Sequence, residues 1–228
     1  MTLKTASIYF LFLFFFSVFS QDLEHRTLTM ESFSGIKAYS GLDIKLIKSN
    51  INKAVIFGDQ KDDVILSLNK NILKIRLSTK SVFSSGYTYV ELHHSKPLDQ
   101  IIAHQRTTLR AEEPIKQTSL RLSAKTGAVI ELSAFTERLD VVSNTGGRVN
   151  LDGSVTNFNL NVASSGICEA ENLITEQCKV ILLAGGFAYV TAKELIDATV
   201  IGGGVLRVYG DPIKQITQTN LWGKIIVK

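Results

Sequence analysis

The sequence predicts an all-β fold, a right-handed parallel β-helix (a solenoid) whose period is about 19–20 residues. Three observations support this prediction. Pairs of small residues recur through the second half of the chain, and the second residue of each pair serves as an anchor, with spacings of 19, 19, 20, 18 and 19 residues. Apolar residues stand two and four positions after each anchor. Helical periodicity is nearly absent, and crossovers between parallel strands are nearly always right-handed.

The repeat is clear in six turns and weaker in one turn upstream. The anchors are Thr107 in the weaker turn, then Ala128, Gly147, Gly166, Gly186, Gly204 and Gly223. Side chains two apart on a strand point the same way, so both apolar columns should face the core. The first column consists of Ile130, Val149, Cys168, Ala188, Leu206 and Ile225. Small residues before the anchors permit a tight bend with positive φ.

The first 20 residues are typical of a signal peptide. Lys4 precedes an apolar run from Ile8 to Phe19, which is 12 residues long and too short for a stable membrane span. We therefore expect an exported protein, in the periplasm, at the cell surface or outside the cell, with no stable membrane span after cleavage. An uncleaved membrane anchor is the alternative.

Residues 21–94 predict a strand-rich N-terminal part that is continuous with the solenoid repeats of residues 95–228. The expected strands are Ile36–Tyr39, Leu42–Ile47, Ala54–Phe57, Val64–Leu68, Leu73–Leu77 and Thr88–Leu92. Asn69, Lys70 and Asn71 separate two of these strands and indicate a hairpin. An open solenoid end is an unpaired strand edge, so we expect this part to cap one end.

Composition and motifs exclude several classes of function. A formal net charge of +4 without a basic stripe does not favour nucleic-acid binding. His93 and His94 are adjacent on a predicted strand, point to opposite faces and cannot share a metal ion. No nucleophile elbow is present, and the Gly202–Gly204 run precedes a strand rather than the helix that a phosphate loop opens. We expect no catalytic residues, no cofactor and no metal site.

Both cysteines, Cys168 and Cys178, fall on inward positions of one turn. An exported protein meets an oxidising compartment, which allows a disulfide between them. Two buried thiols that serve as small apolar residues are the alternative.

An outward-facing acidic patch is the candidate ligand-binding site. Stacked turns place Glu131, Asp152, Glu169 and Glu171 side by side, and Tyr189 and Tyr209 follow on the next turns. Carboxylates beside exposed aromatic rings suit a carbohydrate, and carboxylates can also hold Ca²⁺. A solvated face whose charges prevent aggregation is the alternative.

Trp222 stands where most earlier turns carry Gly or Ser. The sequence given ends shortly after the last inward pair, so we expect Trp222 either to fold over the open end of the core or to anchor an interface between copies of the chain.

Several short motifs also resemble a known family. They are FSGIKA at Phe33–Ala38, GLDIKL at Gly41–Leu46, VYGDP at Val208–Pro212 and GKI at Gly223–Ile225, in this order, with the small-residue bends between them. In these motifs the chain resembles the putative auto-transporter adhesin, head GIN domain family, a domain of unknown function in secreted bacterial proteins that is common in Bacteroidota. The resemblance covers about residues 31–228 and departs from the family pattern at Trp222.

The resemblance implies an exported β-helical protein with no established catalytic residues. We therefore expect a non-catalytic, adhesin-like protein of the cell envelope or surface that binds a carbohydrate or another cell-surface polymer. The alternatives are a polysaccharide lyase or glycosidase built on a β-helix, and a purely structural envelope protein. The sequence leaves open whether the protein forms a homo-oligomer through its C-terminal end.

Overall fold

A computed structural model describes residues 24–81 and 86–228, which form a β-solenoid of about seven turns. The predicted signal peptide, residues 1–20, lies outside the described residues. The strands are β1 (His25–Thr29), β2 (Gly35–Ala38), β3 (Asp43–Lys48), β4 (Lys53–Gly58), β5 (Val64–Asn69), β6 (Ile72–Leu77), β7 (Thr88–His94), β8 (Gln100–His104), β9 (Thr108–Ala111), β10 (Ile115–Lys125), β11 (Val129–Asn144), β12 (Arg148–Ala163), β13 (Ile167–Leu183), β14 (Phe187–Ile201), β15 (Val205–Tyr209), β16 (Lys214–Asn220) and β17 (Lys224–Val227). A single 3-10 turn, Lys61–Asp63, is the one helical element in these ranges, and they hold no helix long and apolar enough to cross a membrane.

The strands stack into two ladders, which we call front and back. The front ladder runs β1-β4-β7-β3-β9-β11-β12-β13-β14-β15-β17, and the back ladder runs β5-β6-β2-β8-β10-β11-β12-β13-β14-β16. The long strands β11 to β14 belong to both ladders because each continues round the corner between them. Alternation of buried and exposed residues breaks at these corners, as at Glu137 and Arg138, which are both exposed.

The predicted inward column is confirmed residue by residue. Ile130 lies opposite Val149, and Cys168, Ala188, Leu206 and Ile225 continue the same line through the parallel pairs. The first five of these residues have 0% exposed surface, and Ile225 is partly exposed in the last turn. A further inward column runs along the back ladder, since Leu139 lies opposite Phe158 and Phe158 opposite Cys178.

The bend before each anchor consists of two consecutive residues with positive φ. Thr145 and Gly146, for example, have φ of 51° and 70°. The second bend residue is Arg106, Gly127, Gly146, Ser165, Gly185, Gly203 or Trp222 in successive turns, and all have positive φ. The prediction of a tight bend with positive φ is therefore correct. Small residues favour this bend because a left-handed backbone strains most residues that carry a Cβ.

The N-terminal part joins the solenoid more deeply than its sequence pattern indicates. β2 and β3 flank the same kind of bend, at Ser40 and Gly41, and pair in parallel with β8 and β9. Residues 49–99 are therefore an insertion between two neighbouring turns. Within it, β4 pairs with β1 and β7, and β5 with β6, all antiparallel. These strands cap one end, as the sequence predicts, and the hairpin turn falls at Lys70 and Asn71, both with positive φ.

One continuous apolar core fills the space between the ladders. It reaches from Phe33 and Ile36 in the N-terminal part to Leu206 and Val208 near the C-terminal end. Burial of these side chains is the main favourable term that holds the turns together, because each turn covers the apolar face of its neighbour.

Candidate functional site: an acidic groove across four turns

The four predicted carboxylates line one groove on the outer surface of the front ladder. Glu131, Asp152, Glu169 and Glu171 border a space of about 430 Å³, and the other polar side chains of its wall are Arg110, Ser133, Asn150 and Asn172. Pairing in the ladder explains this arrangement, since Arg110, Glu131, Asn150 and Glu169 lie opposite one another on successive strands. Neighbouring strands lie about 4.8 Å apart, so these side chains form a continuous row.

Two of the carboxylates are held by arginines. Arg110 Nε donates to Glu131 Oε2 at 2.7 Å, and Asn150 Nδ2 donates to Glu131 Oε1 at 3.2 Å. Arg148 donates to Glu169 at 2.7 Å. These side chains are more than a third exposed, so the ion pairs fix orientation more than they add stability. The sequence did not predict either arginine as a member of the site.

Arg110 also joins the groove to the N-terminal part. Its Nη1 donates to Asp43 Oδ1 at 3.0 Å, and Tyr87 Oη donates to Asp43 Oδ2 at 2.9 Å. Burial acts to lower the pKa of Arg110, but the hydrogen bond to Glu131 and the charges of Glu131 and Asp43 outweigh it and raise that pKa. The guanidinium is therefore firmly charged and ends the acidic row at this side.

The other two carboxylates, Asp152 and Glu171, are exposed. Among the described residues, neither carboxylate has a hydrogen-bond or ion-pair partner. These two groups can accept hydrogen bonds from a ligand without first breaking a bond within the protein.

A bulge in β13 forms one wall of the groove. Ala170 lies opposite Val190, and Ile174 lies opposite the next residue, Thr191, so Glu171, Asn172 and Leu173 have no counterparts on β14. Leu173 is completely buried and anchors the bulge in the core. Thr191 Oγ1 donates to the Glu171 carbonyl at 2.6 Å, which satisfies a backbone acceptor that the interrupted ladder leaves unpaired.

The bulge corrects one detail of the predicted columns. Sequence spacing put Glu171 in line with Asp152, whereas Asp152 lies opposite Asn172. The sequence carried a hint of this irregularity, because the spacing from Gly166 to Gly186 is 20 residues rather than 19. Bulges re-aim side chains and occur often beside functional sites.

The predicted aromatic residues border the groove without lining it. Tyr189 lies opposite Glu169 on the next strand, and Tyr209 lies one strand further, opposite Thr191. Arg207 lies over the Tyr189 ring at 5.6 Å, and Lys228 lies over the Tyr209 ring at 5.8 Å. Tyr189 is the nearer of the two to the carboxylates.

No metal site is evident in residues 24–81 and 86–228. No group of three His, Cys, Asp or Glu side chains converges there as a metal ion would require. The geometry therefore gives no support to Ca²⁺ as the ligand of the acidic groove.

The two cysteines are free and buried, an arrangement that fits the alternative of two apolar thiols. Burial raises the pKa of both thiols, and raises that of Cys178 to about 12. Thiols with raised pKa values are poor nucleophiles at neutral pH.

Trp222 does not cover the end of the core, and the prediction of an end cap is wrong. Its side chain is 93% exposed, although its backbone adopts the same bend as the glycines of earlier turns, with φ of 64°. Space explains why a large side chain is tolerated: at the equivalent Gly146 and Gly185, an added Cβ would meet nothing within 4 Å. This position points to solvent, so the ring extends away from the protein.

Comparisons with known proteins give a family from the sequence and a fold from solved structures. Residues 32–212 match the family described as "Putative auto-transporter adhesin, head GIN domain". The structure resembles a putative adhesin from Bacteroides fragilis, with a TM-score of 0.81, 21% identity and coverage of 92% of this chain and 98% of that one. Putative adhesins from Parabacteroides distasonis and Parabacteroides merdae give TM-scores of 0.68 and 0.66, both at 16% identity, with coverage of 90% and 96%, and of 92% and 97%. No curated protein matches the chain significantly.

Proposed function

The chain belongs to the putative auto-transporter adhesin, head GIN domain family, and from this premise we propose that it is an exported, non-catalytic adhesin-like protein whose acidic groove binds a polysaccharide. The observation that carries the proposal is the pair of unpartnered carboxylates, Asp152 and Glu171, in a groove that crosses successive turns. Sugar hydroxyls are donors and acceptors at once, and the groove offers both kinds of partner.

The groove divides into acceptors and donors. Asp152 and Glu171 accept hydrogen bonds from hydroxyls, while the amide of Asn172, opposite Asp152, provides a donor. A row of such groups repeating about every 4.8 Å along the solenoid suits an extended chain of sugar units better than a compact small molecule.

Tyr189 supports the apolar side of such recognition. Its ring lies one strand beyond Glu169 and is partly exposed, with Arg207 over one face, so a sugar that leaves the groove at this end would pass over the part of the ring that Arg207 leaves open. Sugar rings have apolar faces that pack on aromatic rings, and Tyr adds a hydroxyl at the edge.

A binding screen with a matched variant tests the proposal. The screen measures by calorimetry how tightly neutral, acidic and amino-sugar polysaccharides bind to the parent protein and to the double variant Asp152→Asn/Glu171→Gln. We expect one class to bind the parent and to lose at least tenfold in affinity with the double variant, while the thermal midpoint stays the same. The control Glu137→Gln/Glu194→Gln removes two exposed carboxylates outside the groove and should bind like the parent. Equal binding by both double variants would show that the groove is a solvated charged face and not the binding site.

The same screen separates binding from catalysis. New reducing ends or unsaturated uronates would reveal a glycosidase or a lyase, which needs carboxylates at a defined separation or a basic residue beside the sugar. We expect binding without product release. Release that disappears in Asp152→Asn/Glu171→Gln would replace the adhesin-like proposal with an enzymatic one.

Export is part of the proposal and rests on the apolar run from Ile8 to Phe19 after Lys4. Cell fractionation and the mass of the mature protein test it. Loss of residues 1–20 from a protein outside the cytoplasm supports export, and an intact N-terminus in the cytoplasm opposes it.

We further propose that the C-terminal end of the solenoid contacts a second copy of the chain. Leu221 and Trp222 are 58% and 93% exposed, and β16 and β17 each have one edge without a partner strand among the described residues. Exposed strand edges pair readily with other strands, and large apolar side chains beside them add contact area.

A further inference from the structure

A second cavity lies at the junction between the N-terminal part and the regular turns, and we call it the seam pocket. Its volume is about 410 Å³, within the range of small-molecule sites. Its lining comes from the end of β3, from the connection between β7 and β8, and from the connection between β9 and β10 with the residues that flank it. None of these residues belongs to the acidic groove except Ala111, which separates the two cavities.

The pocket exists because the chain leaves the ladder at this corner. In the following turn, β11 runs uninterrupted round the corner, and its Ala134 is buried there. In the seam turn, β9 ends at Ala111 and β10 begins at Ile115, opposite Ala134. Pro114 lies in the gap and has no N–H to continue the ladder. The wall that closes the corner in later turns is therefore open here.

The floor of the pocket is apolar. Leu46 is 2% exposed and lies opposite Ala111 across the β3–β9 pair. Ile115 and Pro114 flank it, and Pro97 comes from the connection between β7 and β8. These groups provide a surface for a hydrocarbon segment, and they exclude water from part of the cavity.

The rim of the pocket is cationic. Lys48, Lys96 and Lys116 line it, and Glu113 is the one acidic residue of the lining, which leaves an excess of two positive charges. Neither Lys48 nor Lys96 forms an ion pair with a described residue. Lys116 lies over the Phe135 ring at 5.7 Å. Unpaired ammonium groups beside an apolar floor attract an anion that is not fully solvated.

His94 belongs to the lining but offers no hydrogen-bond donor to an anion. It is the last residue of β7 and lies opposite Lys48, the last residue of β3. Its Nδ1 lies 2.9 Å from the Lys96 carbonyl oxygen. A carbonyl only accepts hydrogen bonds, so Nδ1 carries the proton of the neutral ring and Nε2 remains as an acceptor.

We propose that the seam pocket binds a small amphipathic anion, an acidic group attached to an apolar body. The acidic group lies between Lys48 and Lys96, and the apolar body lies on Leu46, Ala111 and Ile115. The lysines attract the acidic group of such a ligand, and the apolar floor packs against its apolar body. An inorganic anion would contact only the lysines, and an uncharged apolar molecule would contact only the floor.

Calorimetry with four probes tests the proposal. Octanoate and octyl phosphate carry both features, octanol carries the apolar body alone, and acetate carries the charge alone. We expect octanoate or octyl phosphate to bind saturably at one site per chain, at least tenfold more tightly than octanol or acetate. Comparison of the two acids tells a carboxylate ligand from a phosphate ligand.

Matched variants locate the binding. Lys48→Gln/Lys96→Gln should weaken binding at least tenfold, while Lys193→Gln/Lys214→Gln removes the same charge at the far end of the solenoid and should not. Trp222→Ser checks that the exposed C-terminal end does not bind the probes. Circular dichroism establishes that all variants are folded. Octanol binding as tightly as octanoate, parental affinity in Lys48→Gln/Lys96→Gln, or no saturable binding at millimolar octanoate would each overturn the proposal.

Discussion

Gly147 lies so close to Ala124 in the turn below that an added Cβ would stand 2.2 Å from the Ala124 carbonyl oxygen. The neighbouring Gly146 is the opposite case, since an added Cβ would meet nothing within 4 Å, but its φ is +70°. Two adjacent glycines are thus required for different reasons, one by close approach of backbones and the other by a left-handed conformation.

This difference predicts unequal effects of the same substitution. Gly147→Ala should lower the free energy of unfolding by about 2–3 kcal/mol, because two backbone segments must move apart. Gly146→Ala should cost about 1 kcal/mol for the left-handed backbone, and Gly146→Asn less, since Asn tolerates that region. Urea unfolding measures all three variants. Equal losses in Gly147→Ala and Gly146→Ala would contradict the close approach.

The cysteine thiols should be unreactive in the folded protein. Burial raises the pKa of Cys168 and of Cys178, so the thiolate that reacts with a disulfide reagent is scarce and inaccessible. We expect no thiol titration in the native protein, and two thiols per chain after unfolding in guanidinium without reductant. No titratable thiol after unfolding would instead reveal a disulfide, and rapid reaction of the native protein would contradict the burial.

The stability should decrease as the pH falls from 7.5 to 5.5. Burial lowers the pKa of His93, His94 and His104, so the unfolded chain takes up protons at a higher pH than the folded one. Their neutral rings stabilise the fold above the ordinary pKa of about 6.5, and this contribution is lost as pH falls towards the lowered values.

Thermal unfolding across that range measures the effect. Replacement of all three histidines by Gln should flatten the dependence. Asp140 provides an internal check, because hydrogen bonds from Arg138 and Asn159 outweigh its burial and lower its pKa, so its contribution is lost only in more acidic solution. Asp140→Asn should therefore leave the slope between pH 7.5 and 5.5 unchanged.

The regular turns of this fold can be predicted from the sequence, whereas the places where the repeat is interrupted cannot. Every turn from Thr107 to Gly223 repeats the same local chemistry, so spacing alone aligned Ile130, Val149 and Cys168 correctly. The pairing of β2 and β3 with β8 and β9 was not predicted, because residues 49–99 separate turns that are neighbours in space. A periodic pattern records only contacts at a fixed sequence separation.

The acidic groove likewise has features that the sequence predicts and features that it does not. Spacing brought Glu131, Asp152 and Glu169 to one face, but the bulge at Glu171 depends on Leu173 entering the core, which the alternation of a regular strand does not anticipate. The seam pocket arises from a gap between strands, and its lining comes from β3, from the connection between β7 and β8 and from the connection between β9 and β10. No single stretch of the sequence therefore shows a pattern from which this pocket could be predicted.

The last prediction concerns self-association at the C-terminal end. Trp222 is the only tryptophan in the sequence, so its fluorescence reports this end alone. The 93% exposed ring should give the red-shifted emission of a solvated indole at low concentration, and a blue shift as the concentration rises and the ring enters an interface. Analytical ultracentrifugation over the same range should record a dimer or a larger species.

A matched pair of variants separates an interface from general surface stickiness. Trp222→Ser should dissociate the assembly while each protomer keeps its unfolding midpoint, because Trp222 is 93% exposed and buries very little area within one chain. Phe187→Ser removes another exposed aromatic side chain, 47% exposed on the outer surface of β14, and should leave the assembly intact. A parent protein that stays monomeric with unshifted emission, or a Trp222→Ser variant that still dimerises, would show that the end of the solenoid is not an interface between copies.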